Sequence, residues 1–384
     1  MYQIQTLNKI AAIGTDNFDK AKYTVSDAPV NPDAIMVRSA SMHDMEFGSN
    51  LLAIARAGAG TNNIPCDQCV EKGIAVFNTP GANANAVKEL AVCGLLLSSR
   101  KVTEAIDWAK GLKGKGAEVG KLVEKGKGQF VGPEIQGKTL GLIGLGAIGG
   151  KLADAAIALG MKVIGFDPFL SVSTALHLNT NINVTASVAD IYSEADYISL
   201  HLPFNAETKG SVNSETLAQM KDGVRILNFA RGELVDTASI LEALASGKVG
   251  KYVTDFPNDE VIGVENVIAI PHLGASSPES EDNCAYMAAI ELIDYIEKGT
   301  IKNSVNLPDA ELAKTGDALV CIIHKNVPSI ITNVSAVVSE SGANIENIVS
   351  KSKKDWAYIL LDVTGSVDGD KIAGVDGVVK VRIL

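Results

Sequence analysis

Cysteine, positive charge and long hydrophobic runs are all scarce in this chain. Five cysteines in 384 residues are too few for a disulfide framework, so the composition favours a reducing compartment. The formal net charge of −11 argues against a nucleic-acid surface, which needs clustered lysine and arginine. The longest apolar runs, such as 91–97, fall far below the ~18 residues that span a bilayer. We therefore expect a soluble, cytoplasmic protein that binds neither nucleic acid nor membrane.

The acidic balance also bears on substrates, because the overall field of the chain repels an anion. An anionic substrate must then be held by local positive groups. Arg38, Arg56 and Arg231 are candidates for this role.

Cys66 and Cys69 form a Cys-x-x-Cys pair that could indicate a metal or redox site. No second pair and no His-x-x-x-His motif accompanies them, and a structural zinc site needs four ligands. The alternative is two small apolar residues one turn apart on a helix that opens near Pro65. We predict no metal site.

The length suggests two or three domains at roughly 150 residues each. The N-terminal segment alternates short β-rich runs with glycine turns and helical stretches, which predicts a parallel α/β layer. A helix is predicted over 85–109, and a surface segment rich in glycine and lysine over 111–132. From 138 to about 270, strands and helices alternate regularly, which predicts a doubly wound (Rossmann) dinucleotide-binding fold.

The C-terminal part reads as a separate small unit. A helical segment at 279–299 is followed by a linker at 303–308. The order beyond it is strand, helix, strand, strand, helix, strand, which predicts a ferredoxin-like βαββαβ domain. The predicted segments are 318–323, 327–341, 348–351, 358–363, a short helix near Asp370, and 378–383.

A glycine loop, Gly-Leu-Gly-Ala-Ile-Gly, follows the predicted strand 139–143 and precedes a helix. In this context Gly144 allows a tight turn, Gly146 lets the backbone approach a pyrophosphate, and Gly149 permits close helix packing. Asp167 ends the next strand, where its carboxylate can accept hydrogen bonds from a ribose and repels a 2′-phosphate. The pattern predicts NAD, and not NADP, as the cofactor.

Two polar side chains follow apolar strands of the same predicted sheet, and the carboxyl ends of such strands face the ligand crevice. The guanidinium of Arg231 could clamp a carboxylate there, and the imidazole of His272 could transfer the proton that reduction of a ketone requires. A carboxylate hydrogen-bonded to the far nitrogen of the imidazole would fix its tautomer. Glu260 is the candidate and Asp259 is the rival.

These motifs resemble those of the D-isomer-specific 2-hydroxyacid dehydrogenases over nearly the whole chain. The resemblance is carried by the segments 37–40, 56–60, 78–81, 144–149, 227–236, 254–260 and 270–276. It implies that Arg231, Glu260 and His272 are catalytic. It implies cofactor contacts at Gly144, Gly146, Ala147, Ile148, Gly149, Asp167, Phe229, Ala230, Asp255 and Gly274. Substrate contacts are expected at Arg38, Ser39, Ala57, Gly58 and Arg231.

This chain departs from the family pattern at two of these positions. Ala147 stands where the family often carries arginine, so one pyrophosphate contact is missing. Counting five residues from Asp255 gives Glu260 as the acid, whereas alignment on Phe256 gives Asp259. The identity of the acid stays open at this point.

The C-terminal unit resembles the ACT domain, a regulatory module that binds amino acids between paired copies. The segments 324–328 and 344–345 carry the resemblance, and the glycine that usually follows the proline is replaced by Ser329. The resemblance implies an L-serine effector held by His324, Asn326 and Asn344 across a dimer interface. The alternative is a domain that serves dimerisation only.

The resemblance also implies how the chain is divided. We expect a flavodoxin-like substrate domain at 1–92 and 284–308, an NAD-binding domain at 93–283, and the ACT domain at 316–384. The expected activity is NAD-dependent oxidation of a phosphorylated 2-hydroxy acid by a homodimer or homotetramer. The alternatives are activity on an unphosphorylated substrate, such as glycerate or hydroxypyruvate, and a corepressor-like protein that senses NAD without turnover.

Overall fold

The structure, a computed structural model, describes residues 1–384 apart from the side chain of residue 173. The chain divides into two compact units: Met1–Asn83 with Ser277–Leu384, and Ala84–Ser276. The boundaries expected from the sequence, 92/93 and 283/284, lie inside two helices that begin at residues 84 and 278. The boundaries between the units therefore lie at the starts of these two helices, and each helix belongs to a single unit.

The N-terminal part of the first unit is a five-stranded parallel sheet. Its elements are β1 (Tyr2–Leu7), α1 (Ala12–Thr15), β2 (Tyr23–Ser26), β3 (Ala34–Val37), β4 (Ala53–Arg56), α2 (Cys66–Glu71) and β5 (Ala75–Asn78). The strand order β2-β1-β3-β4-β5 confirms the flavodoxin-like prediction. All four residues of β3 are buried, as expected for a central strand of a parallel sheet.

The second unit is a seven-stranded parallel sheet flanked by helices. Its elements are α3 (Ala84–Ser99), α4 (Val102–Lys110), α5 (Val119–Gly126), β6 (Thr139–Ile143), α6 (Ala147–Ala158), β7 (Lys162–Phe166), α7 (Val172–His177), β8 (Ile182–Val184), α8 (Val188–Glu194), β9 (Tyr197–Leu200), α9 (Ser214–Gln219), β10 (Val224–Asn228), α10 (Thr237–Ala245), β11 (Val249–Thr254) and β12 (Val267–Ala269). The order β12-β11-β10-β9-β6-β7-β8 confirms the doubly wound fold. The order reverses between β6 and β9, and the carboxyl ends of strands at such a switch point form the ligand crevice.

The prediction of a single helix over 85–109 is wrong. The structure has α3 and α4 instead, because Lys101 adopts a non-helical conformation with ψ 52° and the Val102 N–H donates to the Arg100 carbonyl. The segment 85–109 contains no proline that would announce this break. The surface segment predicted at 111–132 is confirmed, because none of its residues is buried.

The chain then returns to the first unit. Its elements there are α11 (Pro278–Lys298), β13 (Ala318–Lys325), α12 (Ile330–Glu340), β14 (Asn344–Lys353), β15 (Trp356–Thr364), α13 (Gly369–Ala373) and β16 (Val378–Ile383). The last six form a βαββαβ unit with an antiparallel sheet of order β14-β15-β13-β16, which confirms the ferredoxin-like prediction. The strand predicted at 348–351 is longer in the structure, because its whole length pairs with β15.

Helix α11 joins the two sheets of the first unit. The Ser277 side chain caps its N-terminus, and Gly299, with φ +66°, ends it. The buried residues Leu292 and Tyr295 of α11 share a core with Phe77 of β5 and with Leu360 of β15. One face of the C-terminal sheet is thus buried against α11, while α12 and α13 cover the other. Within the described residues, no helix is long and apolar enough to cross a membrane.

Candidate active site

The glycine loop joins β6 to α6 at the carboxyl edge of the seven-stranded sheet. Gly144 has φ +101°, and a Cβ at this position would lie 2.5 Å from the His201 carbonyl oxygen. A Cβ on Gly149 would clash with the Gly144 carbonyl, so the first turn of α6 packs directly on the loop. Gly146 is the N-cap of α6, has no side-chain cap and borders open space. The start of α6 therefore offers its N–H groups and its positive end to an anion.

Asp167, directly after β7, lies beside this loop. Its Oδ2 accepts a hydrogen bond from the Leu145 N–H at 3.0 Å, and its Oδ1 accepts one from the Phe169 N–H at 2.9 Å. The carboxylate is half-buried and has lone pairs left for further donors. Ala147 and Ile148 follow Leu145 in the chain and form the first turn of α6. This arrangement fits the ribose and pyrophosphate of a dinucleotide.

His201, which sequence reasoning missed, packs against the glycine loop. Its N–H donates to the Ile143 carbonyl at 2.8 Å, and its Nε2 lies 3.0 Å from Ser199 Oγ. Burial lowers the pKa of His201 to about 4, so its imidazole is neutral near pH 7. A signal was present, because His201 directly follows β9, all four residues of which are buried.

Arg231, Phe256 and His272 lie together beyond the ends of β10, β11 and β12. The Arg231 guanidinium carbon is 5.8 Å from the Phe256 ring centroid, and the ring centroids of Phe256 and His272 are 4.5 Å apart. The Arg231 guanidinium donates to the Ala230 carbonyl at 2.6 Å, and the Asn228 amide donates to the Arg231 carbonyl at 2.8 Å. Two of the three side chains predicted to be catalytic thus meet at one aromatic ring. Sequence reasoning assigned no role to Phe256 or Asn228.

Asp255 ties the end of β11 to the loop that carries His272. The residue is fully buried, and its Oδ2 accepts a hydrogen bond from the Gly274 N–H at 3.0 Å. Burial raises the pKa of Asp255, while the Gly274 N–H and the nearby charges of His272 and Arg231 lower it. The Asp255 carboxylate therefore favours positive charge on both side chains.

Glu260 and Asp259 lie on an exposed turn after β11. Within the described residues, neither carboxylate forms a hydrogen bond or an ion pair with His272. The structure does not bring either of them to the imidazole in the way that it brings Phe256. The supporting acid stays a prediction with both candidates open.

Phe229 and Ala230, two residues predicted to contact the cofactor, directly follow β10. The buried Phe229 ring points toward α3, because a Cβ on Gly94 would lie 2.8 Å from its Cζ. The Ala230 N–H donates to the side chain of Asn228 at 3.2 Å. A cofactor contact at Phe229 would therefore use its backbone.

In the first unit, two arginines lie at the carboxyl ends of neighbouring parallel strands. Arg38 follows β3 and Arg56 ends β4, and the Arg56 Nε donates to the Arg38 carbonyl at 3.1 Å. Gly58 has φ +149°, and a Cβ there would lie 2.5 Å from an Arg56 guanidinium nitrogen. The loop that contains Ala57 and Gly58 thus lies directly against this guanidinium.

The surroundings of Arg38 are more constrained than the sequence suggests. Its guanidinium is 2.7 Å from the Glu281 carboxylate of α11. The N–H groups of Ser39 and Ala40 both donate to Asn8 Oδ1, at 3.0 and 2.7 Å. A substrate contact at Ser39 would therefore use its side chain.

The residues predicted to hold an effector lie in and beside the C-terminal sheet. His324 is buried, its Nδ1 donates to the Lys325 carbonyl at 2.7 Å, and burial lowers its pKa. The Asn326 amide donates to the Lys354 carbonyl at 3.0 Å, and the Asn344 amide donates to the Glu346 carboxylate at 2.9 Å.

Ser329, the residue in place of the usual glycine, has φ +69°. The backbone at the start of α12 thus adopts a conformation that favours glycine, although a serine occupies the position.

The Cys66 and Cys69 pair lies on α2, with Pro65 at the N-cap, as the apolar alternative predicts. Burial raises the pKa of Cys66, and it raises that of Cys69 to about 12. Both thiols are therefore protonated near pH 7, which disfavours redox chemistry and metal binding.

Comparison with known proteins identifies the family of the second unit. Residues 94–274 match the family model described as D-isomer specific 2-hydroxyacid dehydrogenase, NAD binding domain. A structure of cofactor (NAD⁺)-bound 3-phosphoglycerate dehydrogenase from Entamoeba histolytica is similar at a TM-score of 0.61 and 27% identity. It covers 79% of this chain and 98% of that one. The prediction of NAD as cofactor is confirmed.

Two relatives are similar along most of their length. The chain is 39% identical over 279 residues to a hydroxypyruvate reductase of Thermotoga maritima, covering 69% of this chain and 84% of that protein. It is 31% identical over 355 residues to a D-3-phosphoglycerate dehydrogenase of Haemophilus influenzae, covering 88% of this chain and 83% of that protein. The chain spans about half the length, 49% to 52%, of several other relatives named D-3-phosphoglycerate dehydrogenase.

Proposed function

Because the chain belongs to the family of D-isomer-specific 2-hydroxyacid dehydrogenases, we propose that it oxidises 3-phospho-D-glycerate to 3-phosphohydroxypyruvate with NAD⁺. This reaction is the entry step of the phosphorylated route to serine. The observation that carries the proposal is the meeting of Arg231 and His272 at Phe256. The charge of the Asp255 carboxylate acts on both side chains. The phosphorylated substrate is supported by the names of the relatives and by the arginines at the ends of β3 and β4.

His272 takes the proton of the substrate hydroxyl as the general base, and in the reverse direction it returns that proton to the carbonyl oxygen. Arg231 holds the substrate carboxylate, or the developing carbonyl oxygen, through charge-assisted hydrogen bonds. Asp255 acts through other groups: its bond to the Gly274 N–H fixes the loop after His272. Its charge also favours the positive imidazole that forms when the proton arrives.

The cofactor is held by residues of the glycine loop. The N–H groups at the start of α6 would bind the pyrophosphate, and the open space at Gly146 lets it approach the backbone. The Asp167 carboxylate would accept hydrogen bonds from the ribose hydroxyls, and its charge disfavours a 2′-phosphate. When bound, NAD⁺ supplies the hydride acceptor of the reaction.

The phosphoryl end of the substrate is assigned to Arg38 and to the backbone at 57–60. A guanidinium is suited to this end because it binds phosphate oxygens in two parallel hydrogen bonds. Arg56 joins the assignment because its guanidinium lies against Gly58 and its Nε is bonded to the Arg38 carbonyl.

We assign the supporting acid of His272 to Glu260, with Asp259 as the alternative. Both lie on the exposed turn that follows Asp255 and Phe256 in the chain. In the described residues neither carboxylate is hydrogen-bonded to His272, so this assignment requires that one of them contacts the imidazole when substrate is bound.

The rival activity is reduction of hydroxypyruvate or another unphosphorylated 2-keto acid, because the relative at 39% identity is a hydroxypyruvate reductase. A panel of 3-phosphoglycerate, glycerate and hydroxypyruvate with NAD(H) and NADP(H) separates the two. We expect kcat/KM to fall about 10- to 100-fold without the phosphate, the value of one charge-assisted interaction. Equal kcat/KM for substrates with and without phosphate would support activity on unphosphorylated 2-keto acids. NAD binding without turnover would support a nucleotide-sensing protein.

The C-terminal domain is proposed to bind L-serine as an end-product inhibitor, within a homodimer or homotetramer. The resemblance of His324, Asn326 and Asn344 to an ACT effector loop supports this role. Titration of L-serine during turnover tests it. An unchanged rate up to millimolar serine would leave dimerisation as the role of the domain.

A further inference from the structure

Arg38, which the proposed function assigns to the phosphoryl end of the substrate, carries an ion pair with a carboxylate of its own unit. Its guanidinium lies 2.7 Å from Glu281 Oε1, and the two side chains are 40% and 43% exposed. Within the described residues, Glu281 is the single acidic partner of Arg38. A substrate anion that binds Arg38 must therefore share it with Glu281 or displace that carboxylate.

The position of Glu281 is set by α11. Ser277 and Pro278 begin this helix, so Glu281 lies in its first turn. Cys284 follows three residues later on the same side of the helix. Burial raises the pKa of the Cys284 thiol, while the positive charges of Arg56 and Arg38 lower it, so both guanidinium groups act on the first turns of α11. Glu281 thus adds a negative charge at the strand ends that are assigned to the phosphate.

The energetic consequence depends on the charge of the substrate. An exposed ion pair contributes ~0.2–1 kcal/mol, so displacing Glu281 would cost a substrate about 1.4- to 5-fold in affinity. Repulsion by Glu281 acts in addition, and at equal distance it is about twice as large for a dianionic phosphate as for a single charge. The same carboxylate therefore penalises a phosphorylated substrate more than an unphosphorylated one.

We infer that Glu281 is a specificity-determining residue: it occupies Arg38 in the free enzyme and lowers the affinity for phosphorylated substrates relative to unphosphorylated ones. The inference rests on the proposed function, because it takes Arg38 as the phosphate contact. Glu281 is assigned no contact with the reacting atoms, and it affects binding only.

The test compares Glu281→Gln with Glu279→Gln. Glu279 is a matched control because it lies in the same first turn, is exposed, and forms no ion pair within the described residues. We expect Glu281→Gln to lower KM for 3-phosphoglycerate about 2- to 5-fold, with kcat changed by less than about 2-fold. KM for glycerate should change less, and Glu279→Gln should leave both values as they are.

A second arm measures binding without turnover. Calorimetric titration of 3-phosphoglycerate, and of inorganic phosphate, should give a lower Kd for Glu281→Gln than for the unchanged protein. The gain should be smaller in the background Arg38→Met, because the ion pair is already lost there and only the repulsion by Glu281 remains to be removed. An unchanged or raised Kd in Glu281→Gln, or an equal gain in Glu279→Gln, would overturn the inference.

The two arms separate this inference from the proposed function. If the unchanged enzyme does not oxidise 3-phosphoglycerate, the proposed function fails, and the phosphate titration still decides on Glu281. If Arg38→Met raises KM while Glu281→Gln has no effect, only the inference fails. If neither substitution alters phosphate binding, Arg38 is not the phosphate contact and both fail.

Discussion

Arg231 and Arg38, which lie in different units of the chain, are held in different ways. In the unit Ala84–Ser276, Arg231 is held by the Ala230 carbonyl and by contact with Phe256, and it forms no ion pair within the described residues. In the other unit, Arg38 is paired with Glu281. A guanidinium held by backbone and aromatic groups keeps its charge available for a ligand, whereas a paired one must first exchange partners. We therefore expect substitutions at charged residues of the unit Ala84–Ser276 to change turnover. In the other unit we expect such substitutions to change stability or substrate affinity.

The largest effect is expected at His272. His272→Ala should lower kcat by ~10²- to 10⁴-fold, because the reaction loses its acid/base group. Fluorescence titration should show NAD binding unchanged, since the glycine loop and Asp167 remain. If the variant turned over as fast as the unchanged enzyme, His272 would not be the acid/base group. The expectation that charged residues of this unit control turnover would then fail as well.

Substitution of the acid that supports His272, which lies in the same unit, should have a smaller effect on turnover. Glu260→Gln should lower kcat/KM by about tenfold or more and alter its pH dependence, because a carboxylate near the imidazole stabilises its protonated form. Asp259→Asn is the matched variant on the same turn. If only Asp259→Asn has this effect, Asp259 is the acid. Normal profiles in both variants would leave the buried Asp255 as the sole carboxylate acting on His272.

In the other unit, Glu291 should affect stability and leave turnover unchanged. Burial raises the pKa of Glu291 to about 8, although a hydrogen bond from Asn303 at 2.8 Å opposes the shift. The folded state therefore favours the protonated acid. This contribution is complete below the ordinary pKa of about 4.5 and is lost as the pH rises through about 8.

Glu291→Gln keeps a neutral acceptor for Asn303 at every pH. Urea unfolding should show this variant ~1–3 kcal/mol more stable than the unchanged protein at pH 9, and nearly equal to it at pH 5. Glu297→Gln on the same helix is the control with the opposite sign, because the Lys22 hydrogen bond lowers the pKa of Glu297. Its stabilising contribution is present above about pH 4.5 and lost as the pH falls, so this variant should be ~0.2–1 kcal/mol less stable at pH 7. Equal pH dependence in the two variants would contradict the burial of Glu291.

The smallest effect concerns Ser329. Its φ of +69° is costly for a residue with a Cβ, so Ser329→Gly should stabilise the protein by about 0.5–1 kcal/mol. Ala336→Gly, within the exposed surface of α12, should instead destabilise by about 1 kcal/mol. Thermal unfolding measures both changes. A lower Tm for Ser329→Gly would mean that the serine hydroxyl contributes more than the strained backbone costs.

Much of the fold was predictable because the local signals agreed with each other. The strand, glycine loop and helix at 139–158 follow from a buried apolar run and from glycines placed where a Cβ would clash. The C-terminal order of strands and helices followed from alternating apolar patterns and turn residues. The break between α3 and α4 was not predictable, since no proline or glycine marks residues 100–101.

The sequence allowed individual residues of the candidate site to be predicted, but not how these residues are arranged around one another. Arg231 and His272 each follow a strand, and parallel strands bring their carboxyl ends to one edge. Phe256 was missed because an aromatic residue after a strand is most often part of a core. His201 was missed although it follows β9 directly, because nothing in the chain shows that it packs against the glycine loop.

The sequence alone determined the type of each domain, the NAD-binding motif and the residue types available for hydride-transfer chemistry, because these depend on local patterns and on the properties of single side chains. The tertiary structure decided which side chains meet: Arg231 and His272 at Phe256, Asp255 with Gly274, and Arg38 with Glu281. Such meetings join positions far apart in the chain, and they depend on strand order and helix packing, which no local pattern encodes.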